Sequence, residues 1–488
     1  MEISTVLLAV IMVFFGYKEY CLKKQMEYNM KREQMKAEQV NVENNLQTKV
    51  QVKEQEYAVG QMNDVGQARQ TETEKTIRVL LMNNDQNTCM QQQVILQSSG
   101  EITVTGAKSC MVTPDIPFDV STFLAVGEVV SVKSDAPITV LSLERSQGSP
   151  SYEGVLEIHR RVDGYYIVNA VELETYLKYV VPSEMPSSYP QEALKAQAVC
   201  ARTYAVRQMQ SNSLEEYGAD VDDTVAYQVY NNISRQESTD QAVEETRGKI
   251  MCCEGEPIQA YFFSTSCGFT SSSDVWSETD EKEYLRSISV SRQTVETLAD
   301  TGYPESSVSQ LTVSNDEFEK IIYEKNSLDY ECEEPWYRWE VNISWEEIEQ
   351  RTEEKFPGIG KLQRIEIGER SSGGAAKQLI LTGSGSSEVI DNEYRIREFL
   401  SPGEEAIKLQ DGSSNTSMQL LPSAYIVFET ITENKKPSVL YIRGGGYGHG
   451  VGMSQNGAKY LALEGLNWQQ ILSVFYKNYT LQNDLPAQ

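Results

Sequence analysis

Two periodicities alternate along this chain, and the places where one gives way to the other mark its organisation. From Thr76 onward apolar residues fall on alternate positions in "TIRVLLMNN", "EITVTG", "EVVSVKSDAPITVLSLE" and "VLEIHRRVDGYYIVNAV", with turn residues between them. Alternation rich in β-branched residues predicts short strands. The period then changes. "YPQEALKAQAVCARTYAVRQMQSN" sets Leu194, Ala198, Ala201, Ala205 and Met209 at steps of three and four. This predicts a helix with Ser188 as N-cap, Pro190 near its first turn and an end at Asn212. Strands resume around "GKIMCCEGEPIQAYFFSTSCGFT". Farther on, "RWEVNISWEEIEQRTEEKF" reads as a strand followed by a helix, and "KLQRIEIGER", "AAKQLILTG" and "SAYIVFETI" read as strands. "QNGAKYLALEGLNWQQILSVFYKNY" closes the chain as a helix broken at Gly465. No internal repeat is visible. The predicted class is α+β, mostly antiparallel β with a few packed helices.

Before Thr76 neither period holds. Residues 3–17 form an uncharged apolar run, shorter than the roughly 20 residues that cross a bilayer comfortably. A cleaved signal and a tilted anchor are both open. The lack of a small-x-small cleavage site, together with the collar of Tyr17, Tyr20 and lysines, favours an uncleaved transmembrane anchor over 1–17. Residues 18–74 are dominated by Gln, Glu, Lys, Asn and Met, with no Pro and no sustained heptad. They predict a helical or disordered stalk, reaching about 85 Å if fully helical at about 1.5 Å per residue. A plain linker has the same composition.

Composition narrows the field. Forty-three Lys and Arg against 71 Asp and Glu leave a formal charge of −28, which repels nucleic acid, so no nucleic-acid partner is expected. A content of 40% hydrophobic residues is enough for a substantial core. The eight Cys form no CxxC pair and only two His are present, so no metal site is expected. Cys89 and Cys110 lie in strand-like sequence and are a candidate disulfide outside the cytoplasm, whereas Cys200, inside the helix pattern, reads as buried packing.

Three stretches stand apart from generic scaffold. In "VVPSEMPSSYPQEALKAQAVCARTYAV", Glu184 lies between Pro182 and Pro186, predicting a carboxylate held rigidly in an irregular loop before the helix. A partner for the helix dipole is the plainer reading of the same residue. On the helix itself Lys195 and Arg202 share one face and Gln197 and Tyr204 another; a solvated cationic stripe is the plainer reading of the first pair. "YFFSTSCGFTSSSDVW" runs from an apolar strand into a hydroxyl-rich turn, able to hydrogen-bond sugar hydroxyls or to serve as ordinary turn material. "RGGGYGHGVGMSQNGAKYLA" places six Gly between Gly444 and Gly452 around His449, implying close backbone approach to a ligand or another loop. His449 reads as a proton carrier, an orienting donor, or the packed His of a tight turn.

Taken together, "PSEMP", "EALKAQAVCARTYAV", "YQVY", "STSCG" and "GHGVGMSQNGA" resemble, in order and spacing, the pattern of the stage II sporulation protein D and LytB family, across roughly residues 76–481. Two departures are visible: Cys267 stands where the family's STSGG loop has a glycine, and the Cys and His that bind zinc in some relatives have no counterparts. The resemblance implies a lytic transglycosylase acting on peptidoglycan glycan strands whose stem peptides have been removed. No cofactor is implied. It makes Glu184 the catalytic acid, with substrate-binding roles for Lys195, Gln197, Arg202, Gln228, Tyr230, Ser264, Ser266, His449, Ser454 and Gln455. The implied partners are glycan strands, a wall amidase and other membrane proteins of an engulfment-type complex.

The expected layout is then an anchor over 1–17, a stalk over 18–74 and a catalytic region over 75–482. That region divides into an N-terminal β part (75–175), a core with the PSEMP helix (176–290), an inserted α/β part (291–440) and the last motif with its helix (441–482). The site is expected on the extracytoplasmic side of a single-pass anchor. Lys18, Lys23, Lys24, Lys31 and Arg32 follow the apolar run and by the positive-inside rule point the other way.

One carboxyl would protonate the glycosidic oxygen and then accept the proton of the muramic 6-hydroxyl, so it needs a raised pKa from partial burial beside groups such as Met185. Lys195 and Arg202 are accordingly expected nearer the substrate than Glu184. Two other readings accompany this one: a non-catalytic glycan-binding enhancer of a wall amidase, and a structural component of a membrane complex.

Overall fold

The alternating stretches do form strands. Thr76–Leu81 pairs antiparallel with Tyr165–Glu172, and the sheet continues through Val155–Arg160, Val129–Lys133 and Ile102–Thr105 to Cys110–Val112. Val221–Asp222 adds a short parallel edge beside Thr76–Leu81. One face of this sheet buries Ile77, Val79, Val132, Leu156, Ile158 and Ile167 in a common core. Tyr165–Val171 is buried at every residue, because Leu80, Tyr166, Val168 and Ala219 form a smaller cluster. A strand covered on both faces loses its alternation.

The structure, a computed structural model, describes residues 75–211, 213–276, 282–292, 314–416 and 418–483, all within one compact unit, Glu72–Gln488. The anchor and stalk expected over 1–74 lie outside the described residues. Among the described residues no helix is long and apolar enough to cross a membrane.

Eight α-helices lie among the described residues: α1 (Leu173–Glu184), α2 (Gln191–Met209), α3 (Glu237–Glu245), α4 (Asn315–Tyr323), α5 (Trp345–Lys355), α6 (Glu393–Phe399), α7 (Gln455–Leu463) and α8 (Trp468–Phe475). The class is mixed α+β with mostly antiparallel sheets. Strand Trp339–Ser344 leads directly into α5, and it lies inside a five-stranded sheet with Lys436–Gly444 and Ile426–Glu433. Gly465, at φ +93°, separates α7 from α8.

Helix α1 was not expected. Glu172 ends the preceding strand and also caps the helix, its carboxylate accepting from the Thr175 amide, so no turn residues announce the change. Its apolar spacing of Leu173, Tyr176, Leu177, Val180 and Val181 is helical all the same.

Helix α2 carries the packing. Every residue from Ala196 to Val206 is buried, and the helix packs against α1, α3, α7 and α8. Its many alanines let those neighbours approach closely, and a helix covered on all sides no longer shows a single apolar stripe. Its start differs from expectation: Pro190 is the N-cap and no side chain caps it, so Ser188 plays no such role. The last helical residue is Met209; Asn212 lies outside the described residues. Cys89 and Cys110 are free thiols, not a disulfide.

Candidate active site

Glu184 is the last residue of α1, with Pro182 inside the helix, so it does not sit in an irregular loop. Proline here removes one bond of the last turn, and Ser183 bonds back to the Tyr179 carbonyl at 2.7 Å. The segment after α2 then crosses the end of α1 as a strap. Ser183 Oγ accepts from the amides of Asn232 (3.1 Å) and Ile233 (3.0 Å), and Glu184 Oε1 accepts from the amide of Val229 (2.7 Å). Buried side chains fix the strap on both sides of Val229. Gln228 donates to the Ala201 carbonyl and accepts from Tyr176, while the Tyr230 hydroxyl donates to Asn169 at 2.7 Å.

No cation touches Glu184 among its described contacts. Desolvation pushes its carboxyl up to about 7, opposed only by the Val229 amide. Position at a helix C-terminus also disfavours the charged form. The residue as a whole is half-buried, while its carboxyl is desolvated.

Facing it is the head of α7. Gln455 Nε2 donates to the Glu184 carbonyl at 3.0 Å, and Ser454 caps α7 by accepting from the Gly457 amide. Asn456 bonds to Thr265 Oγ1 at 3.0 Å and accepts from the half-buried Tyr189 hydroxyl.

The glycine run packs closely on the loop that carries Tyr261 and Phe263. Gly448 (φ +113°) lies against Phe263, and a Cβ on Gly452 (φ +78°) would fall 2.0 Å from the Tyr261 carbonyl oxygen. His449 sits among the rings of Tyr261, Phe263 and Trp276, with centroids 6.0, 5.9 and 5.4 Å away. Its Nδ1 accepts from the Val451 amide at 3.0 Å, which assigns the proton to Nε2. Burial lowers its pKa to about 4, so the ring is neutral at physiological pH. Cys267 is buried and needs no glycine conformation; the positive φ of that turn belongs to Gly268 (+107°).

A second buried carboxyl lies close by. Glu331 is fully buried and accepts from the Ser266 amide (2.9 Å), the Ser266 hydroxyl and the Ser454 hydroxyl (2.6 Å). Desolvation outweighs these donors and raises it to about 7.

The residues expected to bind substrate thus separate into groups. Gln228 and Tyr230 brace the strap, and Ser266 and Ser454 are spent on Glu331. Arg202 is fully buried and grips Glu174 through Nε (2.8 Å) and Nη2 (2.7 Å), with further bonds to the carbonyls of Val243 and Lys249. It ties α1, α2 and α3 together and faces no groove, contrary to the expectation that it meets substrate. Lys195 is paired with Glu192 (2.7 Å) and Glu245 (2.6 Å). Neither cation pairs with Glu184. Gln455 is buried at the Glu184 carbonyl, while Ser264 and His449 keep part of their surface.

Gln197 is fully buried, yet neither amide atom finds a partner. It shares a face of α2 with Ala201 and Tyr204, which meet Gln228 and Tyr261. Sequence reasoning missed Val229, whose contribution is a backbone amide and leaves no side-chain signal. Glu331 was missed too, being one of three glutamates in "ECEEP" until folding buries it.

The family model described as stage II sporulation protein matches residues 161–252, and a model of a domain of unknown function matches 270–452. The amidase enhancer of Bacillus subtilis (strain 168) is 31% identical over 319 residues, 62% of this chain and 40% of that protein. Stage II sporulation protein D of the same organism is 29% identical over 324 residues, 64% of this chain and 74% of that protein. An uncharacterized protein of Brachyspira hyodysenteriae is 41% identical over 124 residues, 25% of this chain and 33% of that protein. The chain spans well under half the length of the amidase enhancer it matches and about three quarters of the sporulation protein. The Glu184 helix end, α2 and the strap all lie inside residues 161–252, the part of this chain that matches the stage II sporulation protein family.

Proposed function

We propose that this protein is a lytic transglycosylase that cleaves the bond between N-acetylmuramic acid and N-acetylglucosamine in peptide-free glycan strands of peptidoglycan. The observation that carries this reading is the Glu184 carboxyl: desolvated, free of cations, held by one amide and raised to about 7. Such a group donates a proton near neutral pH and accepts one later in the same turnover.

Protonation of the glycosidic oxygen by Glu184 releases the N-acetylglucosamine hydroxyl as the bond to the muramic anomeric carbon breaks. The Glu184 carboxylate then takes the proton of the muramic 6-hydroxyl as that oxygen bonds to the anomeric carbon. The product carries a 1,6-anhydro ring, water is not consumed, and the glutamic acid is restored. Hydrolytic glycosidases as a rule use a second carboxyl beside the sugar. The buried carboxyl of Glu331 is already occupied by Ser266 and Ser454, which favours a one-carboxyl mechanism.

In this reading residues 1–17 anchor the protein in the cell membrane, 18–74 act as a spacer, and the site faces the wall on the extracytoplasmic side. A wall amidase that strips stem peptides would supply the substrate. A second reading is supported by the name of the relative called amidase enhancer: the same site holds glycan for an amidase and cuts nothing. Incubation of the purified protein with peptide-free strands separates the two. New anhydro termini that vanish with Glu184→Gln support cleavage. Binding without new termini, together with faster peptide release by added amidase, supports the second reading.

A further inference from the structure

Glu331 joins parts of the chain that lie far apart in sequence. Ser266 belongs to the hydroxyl-rich turn, Glu331 to the region whose function is unassigned, and Ser454 to the cap of α7. Each end of this contact continues toward the site. The residue after Ser454, Gln455, holds the Glu184 carbonyl, and Asn456 ties Thr265 to Tyr189. Gly268 in turn donates to Ser266 Oγ at 3.2 Å.

We propose that Glu331 is a positioning residue for the site: its carboxyl latches the 264–266 turn to the head of α7 and, through Gln455, fixes the end of α1 that carries Glu184. As a carboxylate it accepts all three donors at once. Protonated, one of its oxygens becomes a donor, and the hydroxyl on that side has to turn away. The latch therefore has two hydrogen-bond arrangements, and they exchange near neutral pH, where burial has brought this group.

The charged and titratable groups around it leave this balance to the serines. Glu334, on the same segment, adds repulsion but is itself held by Lys459 (2.7 Å) and the Tyr460 hydroxyl (2.9 Å) of α7. Tyr189 and Cys267 feel the same negative charge, and both stay neutral because burial raises each to about 12. Among the described residues no cation pairs with Glu331. A purely architectural carboxylate at such depth is ordinarily matched by Lys or Arg, as Glu174 is by Arg202.

Hydrogen exchange followed by mass spectrometry on the whole chain tests the latch without reference to catalysis. In Glu331→Ala, peptides covering 264–268 and 454–457 exchange at least tenfold faster, and peptides from the Thr76–Leu81 sheet do not change. Glu331→Gln, which keeps the shape of the protonated acid, restores protection to within about threefold of wild type. It also abolishes the change in protection that wild type shows between pH 6 and pH 8 after correction for intrinsic exchange. Unchanged exchange at 264–268 in Glu331→Ala, loosening spread evenly over the chain, or a pH response retained in Glu331→Gln each overturns the proposal. If Glu331→Ala does not fold, Ser266→Ala is read in its place with the same expectations. The link to substrate rests on the glycan reading above: affinity for peptide-free strands should fall about tenfold in Glu331→Ala and recover in Glu331→Gln. Absence of glycan binding in every form, wild type included, would sink that reading while the exchange data still decide the latch.

Discussion

The backbone amide of Val229 donates to the carboxyl of Glu184 at 2.7 Å. A side-chain cation in its place would pin Glu184 as a carboxylate; a lone amide orients it and leaves desolvation dominant. The flanking residues explain why a backbone group can do this reliably. Gln228 and Tyr230 are both buried, each bonded to a different part of the core, so the peptide between them has little freedom.

Ser183 is the strap's other fastening. Ser183→Ala leaves the amides of Asn232 and Ile233 without their acceptor, which costs about 1–3 kcal/mol when such groups stay desolvated. Urea denaturation should show a lower midpoint with an unchanged slope. An unaltered midpoint would mean the strap is held elsewhere.

The Arg202–Glu174 pair is scaffold, and its energetics should show it. Arg202→Met alone strands a buried carboxylate and should destabilise by about 3–5 kcal/mol, whereas Arg202→Met with Glu174→Leu should recover much of the loss. Thermal unfolding of the two variants checks this. Normal stability in the single variant, with specific loss of glycan binding, would return Arg202 to the substrate.

His449 should remain neutral through the working range. The chain has only two histidines, so ring resonances can be assigned with one variant, His159→Gln. The His449 ring should titrate near 4, and burial is the cause. A midpoint near the ordinary 6.5 would make it available as a proton carrier and contradict its placement in the Tyr261, Phe263 and Trp276 cluster.

Glu184 and Glu331 both have folded pKa values of about 7 against an ordinary 4.5. The folded state therefore holds these protons more tightly than the unfolded chain. Their contribution to stability is complete below about pH 4.5 and declines as pH rises to about 7. Glu331→Gln removes one of the two groups, so its stability relative to wild type should increase between pH 5 and pH 8. A constant difference across that range would show that Glu331 is not buried as an unpaired acid.

Much of the scaffold was legible in sequence because it obeys local rules. The strands at Thr76–Leu81 and Val155–Arg160 alternate, and the break at Gly465 falls where a residue with positive φ separates two helices. Helix α1 was legible and passed over, its apolar spacing being hidden by a strand that ends on the residue capping the helix. The motifs mix two kinds of residue. Glu184 reaches the surface, whereas Arg202, Tyr230, Ser266 and Ser454 are buried and spend their hydrogen bonds on the fold. That distinction depends on which groups meet across hundreds of residues, as Ser454 meets Glu331, and no local pattern records it.

The central claim is that Glu184 acts first as a proton donor, and the pH dependence of glycan cleavage tests it most directly. Rates of anhydro-terminus formation on peptide-free strands, measured as kcat/KM from pH 5 to pH 9, should fall tenfold per unit above about pH 7. Glu184→Gln should be inactive at every pH. A rate that climbs through the same range, or an amide variant that still forms anhydro termini, would contradict the account.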